Sequence, residues 1–399
     1  MLRLFQREDI PPLLTGMMAT LVGIGLARFA YTPLIPVLVL QGWFDASAAI
    51  YLGAANLLGY LVGALIAHRL SEHFGTRQLL AACFISIALS FACSAAPASF
   101  AWFFIWRLVA GISGAILVVV GPSLALTRAP IARRTIVGPV VFCGVGLGAL
   151  LSATLLPLLI QYNLMWSWLV LGGLSLLAWL ICDQGLIRLL PAAATATGSG
   201  PVGSPRLMGA GIVLIILAYA MDAAGFIPHT VFWVDYLVRE QGYSSGAAAA
   251  QWATFGAGAF VGPLLAGLLA SRLGWHRSLV TAYLIKCLAI ALPLFASGFL
   301  GNSVSAFLVG AMVPGLVALT SGRLAELGGP TEHKRLWGYA TAGFAVLQAI
   351  SGYAMSALYT LLGSYQPLFA LGSALLALGM VLTLISGRFS SITRSQHLR

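Results

Sequence analysis

Twelve stretches of roughly twenty or more apolar residues divide this chain, and at 1.5 Å rise per residue each is long enough to cross the hydrocarbon of a bilayer. No water reaches the backbone there, so every such run must satisfy its own N–H and C=O groups as a helix. Cutting at turn residues and charges places the spans at roughly 13–38, 46–68, 78–96, 101–126, 135–160 and 164–182, then at roughly 207–237, 246–270, 278–297, 303–325, 336–361 and 367–386. A soluble domain carries about one charged residue in four, whereas this chain has 8%. Residues 1–10 hold Arg3, Arg7, Glu8 and Asp9 with no small-residue cleavage site behind them, so the first helix is expected to be retained.

The segment from His68 to Arg77 returns as the segment from Gly267 to His276, with Gly75 and Gly274 standing 199 positions apart in a chain of 399. Half of the chain therefore repeats the other half. Six spans per copy give both copies the same orientation, related by an axis along the membrane normal. The fold expected is an all-α membrane protein, twelve transmembrane helices arranged as two parallel six-helix repeats. Residues 1–190 make the first bundle and 207–399 the second. Between them, 191–206 is a Pro-, Gly-, Ser- and Ala-rich stretch with little to bury, read as a flexible linker.

Arginine and lysine set the orientation, because positively charged short loops stay in the cytoplasm. Seventeen of the 21 basic residues fall in alternate loops that include both termini, and the opposite loops hold Arg239 alone. Both termini are expected in the cytoplasm, and together with the family resemblance given below this implies a bacterial inner membrane. The net charge of +11 is spread over those loops rather than gathered on one face among stacking aromatics, which argues against nucleic acid. Cys83, Cys93, Cys143, Cys182 and Cys287 are scattered in apolar runs without CxxC spacing, so neither a disulfide frame nor a metal site is expected.

These features resemble the major facilitator superfamily, whose signature between spans two and three reads Gly-x-Leu-Ala-Asp-Arg-x-Gly-Arg-Arg/Lys. In the first copy Leu70, Ser71, Gly75 and Arg77 fit and Glu72 stands for the Asp, while His68 replaces the first Gly and Thr76 an Arg. The second copy keeps Gly267, Leu269, Ala270, Arg272 and Gly274, with Ser271 at the acidic position. Arg107-x-x-x-Gly111 followed by Gly114-Ala115 is similar to the span-four signature, and its counterpart 199 residues on has Gly310 but Ala306 in place of Arg107. The antiporter signature of span five is matched only by Gly144, Gly146 and Gly148, with Pro157 late. The first span from Gly23 to Pro36, together with Trp337-Gly338, looks like the YbfB/YjiJ-type branch. The resemblance implies a transporter working by alternating access, with Arg28 on the substrate path and Arg107 touching span one or supporting proton movement.

Ionisable side chains inside a membrane cost about 2.5–3.5 kcal/mol each on insertion scales and are functional candidates by default. Arg28, Asp222 and Lys286 fall near mid-span, and Arg107 lies nearer one end of span four. Asp222 is the single carboxylate well inside a span, and His229, two helical turns on, shares its face. Gly225 and Pro228 weaken the helix between them. Asp222 is either a proton carrier with Arg28 or His229 as alternating partner, or the permanent partner of Arg28 that ties spans one and seven together. Lys286 carries Tyr283 on its face and has no acid nearby in sequence, and it reads as a substrate-binding or gating residue, with a snorkelling lysine as the plain alternative. Tyr31, Asn56, Tyr219, Phe226, Trp252, Gln348 and Tyr353 are candidates for lining the substrate path, with helix packing as the plain alternative for each. Glu72, Gly75, Arg77, Arg272 and Gly274 lie away from mid-span and read as a latch between helix ends that closes the cytoplasmic side.

No GxxxxGK[ST], GxSxG or HExxH motif is present. The chain is therefore read as no enzyme, without a cofactor: a monomeric, proton-coupled secondary transporter of a small organic solute. An anionic or amphipathic cargo is favoured by three basic groups to one acid at mid-span. The alternative is a membrane receptor or scaffold on a transporter fold.

Overall fold

A computed structural model describes residues 6–129, 133–189 and 209–396. The stretch 191–206, read above as a linker, lies outside the described residues. Among those described there is no strand, and twelve helices are long and apolar enough to cross a membrane. The first six are α1 (Arg7–Leu40), α2 (Ala46–His73), α3 (Thr76–Cys93), α4 (Phe100–Arg128), α5 (Val137–Ile160) and α6 (Leu164–Leu189). The second six are α7 (Ala210–Glu240), α8 (Ser245–Leu273), α9 (Trp275–Leu294), α10 (Phe299–Gly329), α11 (Arg335–Leu362) and α12 (Gln366–Phe389). Twelve traversals bring the start of α1 and the end of α12 to the same face. Arg69, Arg77, Arg128, Arg272 and Arg277 lie at that end of their helices, and it is called the basic face below.

The duplication is visible in backbone contacts as well as in sequence. A Cβ on Gly111 of α4 would lie 2.1 Å from the carbonyl oxygen of Asn56 on α2, and one on Gly310 of α10 would lie 2.1 Å from that of Phe255 on α8. Both residues of the second contact are those of the first moved on by 199 positions. Removing the side chain lets two backbones touch, and without a hydrophobic force between helices in lipid that close packing is what binds them.

The two sets of six helices meet along α5 with α8 and along α2 with α11. Gly146 of α5 abuts the backbone of Ala259 and Phe260, and Gly256 of α8 abuts that of Ala149 and Leu150. The outer ends of α1 and α7 also touch. On the basic face the halves part into a cleft of about 290 Å³ between α4 and α5 on one side and α9 and α10 on the other. His333, beside this cleft, is hydrogen-bonded to the Ser321 hydroxyl at 3.0 Å, and burial pushes its imidazole below the ordinary value. A smaller cleft of about 210 Å³ opens on the other face between α2 and α11.

Two helices are irregular at mid-membrane. The chain of α7 is regular only to Gly225, then turns widely over Pro228–Phe232 and Tyr236–Glu240, as Gly225 and Pro228 led one to expect. The break in α1 goes beyond the sequence expectation: a wide turn over Leu21–Leu26 is followed by a tight one over Phe29–Tyr31. Wide and tight turns leave carbonyls without their usual donors, which at this depth only other side chains can supply.

Candidate functional site

Those freed carbonyls organise the centre of the molecule. The Tyr31 N–H bonds to Arg28 O, and the Ala27 oxygen accepts instead from Arg107 Nη1 of α4 at 2.9 Å. The same guanidinium lies 4.1 Å from the Tyr31 ring, a distance at which a cation and an aromatic face attract. Asn56 donates to the Arg107 carbonyl at 3.2 Å, and the Tyr31 hydroxyl to Ala49 O at 2.9 Å. Thr32 of α1 donates across to Thr230 O of α7 at 2.6 Å, so one irregular helix completes the other. Replacing Arg107 by Leu leaves the Ala27 oxygen unpaired in an apolar setting. An expected loss of about 1–3 kcal/mol should appear as a lower unfolding temperature of the purified chain, and an unchanged one would show the bond to be idle.

The charges pair differently from either sequence reading. Asp222 bonds Lys286 of α9, Nζ to Oδ1 at 2.6 Å, with both side chains fully buried. It does not pair with Arg28. That guanidinium donates through Nη1 to Gln348 Oε1 of α11 at 2.7 Å, while Gln348 reaches Ala223 O at a long 3.5 Å. The physical reason is rotational: α9 packs beside α12 and α10 within the second half, which turns Lys286 inward onto α7. Sequence could find the residues and not the match, because 64 positions separate Asp222 from Lys286. Arg28, 8% exposed, has no ion pair among the described residues, and its Nη2 and the Asp222 Oδ2 have no hydrogen-bond partner.

Phe226 stands between these groups. Its ring lies 4.3 Å from Lys286 Nζ and 5.7 Å from Arg28 Cζ, and Arg28 is also 5.6 Å from the Phe29 ring. Behind it runs a row of rings, Phe226 to Phe344 at 5.9 Å, Phe344 to Tyr219 at 4.6 Å and Tyr219 to Trp337 at 5.6 Å. The row climbs α7 and α11 towards the basic face.

His229 is a second departure. Its Nε2 meets the Ser305 hydroxyl of α10 at 2.7 Å and its ring stacks on Trp233 at 4.3 Å, with no bond to Asp222. The wide turns between the two residues rotate His229 off the face that a regular helix would give it. Trp252 stacks on Phe255 at 4.7 Å and reaches Ser152 of the first half at 3.4 Å, which makes it a contact between halves. Tyr353 lies apart, tilted against Tyr51 of α2 at 6.0 Å near the outer cleft.

The expected latch residues do not bridge the halves in this structure. Glu72 faces only His68 on its own helix at 3.3 Å, and Arg77 forms a two-pronged bond to Asp183 at 2.5 and 2.7 Å. Asp183 escaped notice because the sixth span was ended at 182, whereas α6 runs on to Leu189 and carries this carboxylate to the start of α3. Arg272 is exposed and has no ion pair among the described residues. Gly274 takes φ +76°, a conformation that any Cβ would strain, but Gly75 has φ −56° and needs no such freedom.

Comparison with known proteins agrees with the twelve-helix architecture. A family model described as "Uncharacterised MFS-type transporter YbfB" matches residues 20–384. An uncharacterized MFS-type transporter of Bacillus subtilis strain 168, YceJ, is 24% identical over 313 residues, covering 73% of this chain and 76% of the relative.

Proposed function

The chain belongs to the family of the MFS-type transporter YbfB, and on that premise we propose that it is a proton-coupled secondary transporter of a small organic solute, anionic or amphipathic, working by alternating access. Residues 1–190 and 207–399 are the two bodies that rock, joined by 191–206, in a bacterial inner membrane with both termini cytoplasmic. The observation that carries the reading is the fully buried Asp222–Lys286 pair on an irregular helix, beside an Arg28 guanidinium with an open edge. A proton on Asp222 cancels the charge that holds Lys286, which gives the protein two charge states with different preferred packing. Arg107, which fixes the break in α1, and His229, which reaches α10, support the helices that bend.

Spin labels at Thr127 and Ala325 would span the basic cleft, and labels at Ser47 and Thr360 the outer one. Alternating access requires that a change of pH which shortens one distance lengthens the other, and that Asp222→Asn abolish the response. Two distances insensitive to pH, in a chain that is folded, would sink the coupling.

A further inference from the structure

We propose that the central site takes a small aromatic carboxylate on the free edge of Arg28, and that this anion binds cooperatively with a proton on Asp222, so that both travel in the same direction. The inference deepens the transporter reading above and rests on it.

Charge counting comes first. Around Phe226 stand two cations, Lys286 and Arg28, and one carboxylate, Asp222, which is already bonded to Lys286. Arg28 is left as a buried guanidinium with one amino group bonded to a neutral amide and the other open. A planar fork of that kind matches the two oxygens of a carboxylate. An ammonium or other cationic cargo would meet net repulsion at the same place.

The shared ring then fixes the sign of the coupling. With Asp222 ionised, the three groups carry one net positive charge. Protonating Asp222 leaves Lys286 without a counter-ion and raises that to two, with both cations against one ring. An anion on Arg28 brings it back to one. Each event therefore makes the other easier, and the coupling is equal in both directions by thermodynamic necessity. Antiport would require the opposite, competition between proton and cargo.

The other titratable groups facing this cluster do not supply an alternative charge balance. Tyr219 and His229 come from α7, Tyr283 from α9, Tyr60 from α2 and Arg107 from α4. Arg107 is held by Ala27 O and Tyr31, and His229 by Ser305. From α11 the facing group is Gln348, and α12 brings Gly372 and Leu376 against Gly225. None of these adds a second carboxylate.

The aromatic class follows from the row Trp337, Tyr219, Phe344 and Phe226. Successive rings lie 4.6–5.9 Å apart with planes tilted by 33–37°, so a flat ring that enters beside Arg28 as the halves part meets a continuous row of aromatic neighbours. Two buried hydroxyls near this row, Thr341 of α11 and Tyr283 of α9, have no hydrogen-bond partner among the described residues. A flat ring with a terminal carboxylate suits such a surface, an apolar wall with few convergent polar groups.

The test uses the full chain in detergent, with benzoate as the probe and benzamide as its uncharged counterpart. Titration calorimetry at about pH 7.5 and about pH 5.5 should show benzoate binding at least about 10-fold tighter at the lower pH. Repeating it in buffers of different ionisation heat should reveal uptake of close to one proton per benzoate. Benzamide should not bind. Arg28→Gln should abolish binding at both pH values while leaving the unfolding temperature within a few degrees, and Asp222→Asn should bind benzoate with the pH dependence gone. If Asp222→Asn does not fold, proton uptake by the unaltered chain decides the question alone. Benzoate binding that ignores pH, persists in Arg28→Gln or releases protons overturns the coupling, and no benzoate binding at either pH overturns the aromatic carboxylate. Where the spin-label distances still alternate, such a result removes this inference and leaves the transporter reading standing.

Discussion

Asp222→Ala is expected to destabilise the purified protein by about 3–5 kcal/mol, because it strands the Lys286 ammonium in a fully buried site where no other described carboxylate pairs with it. Removing both charges should cost far less. Asp222→Asn with Lys286→Met replaces the pair by groups of similar volume, and such exchanges of buried ion pairs are often neutral in stability. The double variant is thus expected to unfold near the parent temperature yet show no pH response in the spin-label distances. A double-mutant cycle on unfolding free energies gives the comparison, and additive single effects would mean that the 2.6 Å contact carries no energy. Arg28→Gln separates this arrangement from a brace between α1 and α7. Were Arg28 the partner of Asp222, its loss would be as damaging as that of Lys286. With Lys286 in that place, Arg28→Gln costs little stability and shows its effect on ligand binding.

The second large effect is expected at Gly146→Leu. A Cβ there would fall 2.0 Å from the Phe260 nitrogen and 2.2 Å from the Ala259 carbonyl carbon, and backbone atoms cannot swing aside as a side chain would. Overpacking of this kind costs about 1–3 kcal/mol where the site relaxes, and more where it does not. The relaxation available is for α5 and α8 to separate, so the variant should widen the distance between labels on those helices and lose the alternation between the two clefts. Gly173→Leu on α6 is the control. Nothing lies within 4 Å of its Cβ position, and its unfolding should stay within about 0.5 kcal/mol of the parent. If both substitutions behaved alike, the tight approach of α5 to α8 would have no part in holding the halves together.

The four charges inside the spans, Arg28, Arg107, Asp222 and Lys286, were legible in the sequence, since an ionisable residue among apolar neighbours stands out at any orientation of its helix. So were the break in α7, from Gly225 and Pro228, and the packing role of Gly111, from its repeat at Gly310. The break in α1 could have been suspected from Gly23, Gly25, Pro33 and Pro36, yet the apolar run there reads as continuous. Resemblance had Arg107 touching span one or supporting proton movement, and the bond to the Ala27 carbonyl gives the contact with span one its physical reason. His229 was misplaced because seven residues make two turns only in a regular helix. Asp183 was missed because an apolar run was cut at its first charge.

Sequence alone determined how many times the chain crosses the membrane, that its halves are copies, and which side chains lie where charge is expensive. All of these depend on local composition, because the bilayer acts on each segment separately. Only the tertiary structure decided that Asp222 belongs to Lys286 and that Arg28 keeps an open edge beside Phe226. Those facts depend on how each helix is rotated about its axis. Rotation is set by close backbone contacts at glycines, such as Gly111 of α4 against Asn56 of α2 and Gly310 of α10 against Phe255 of α8, and by wide turns that no periodic pattern announces.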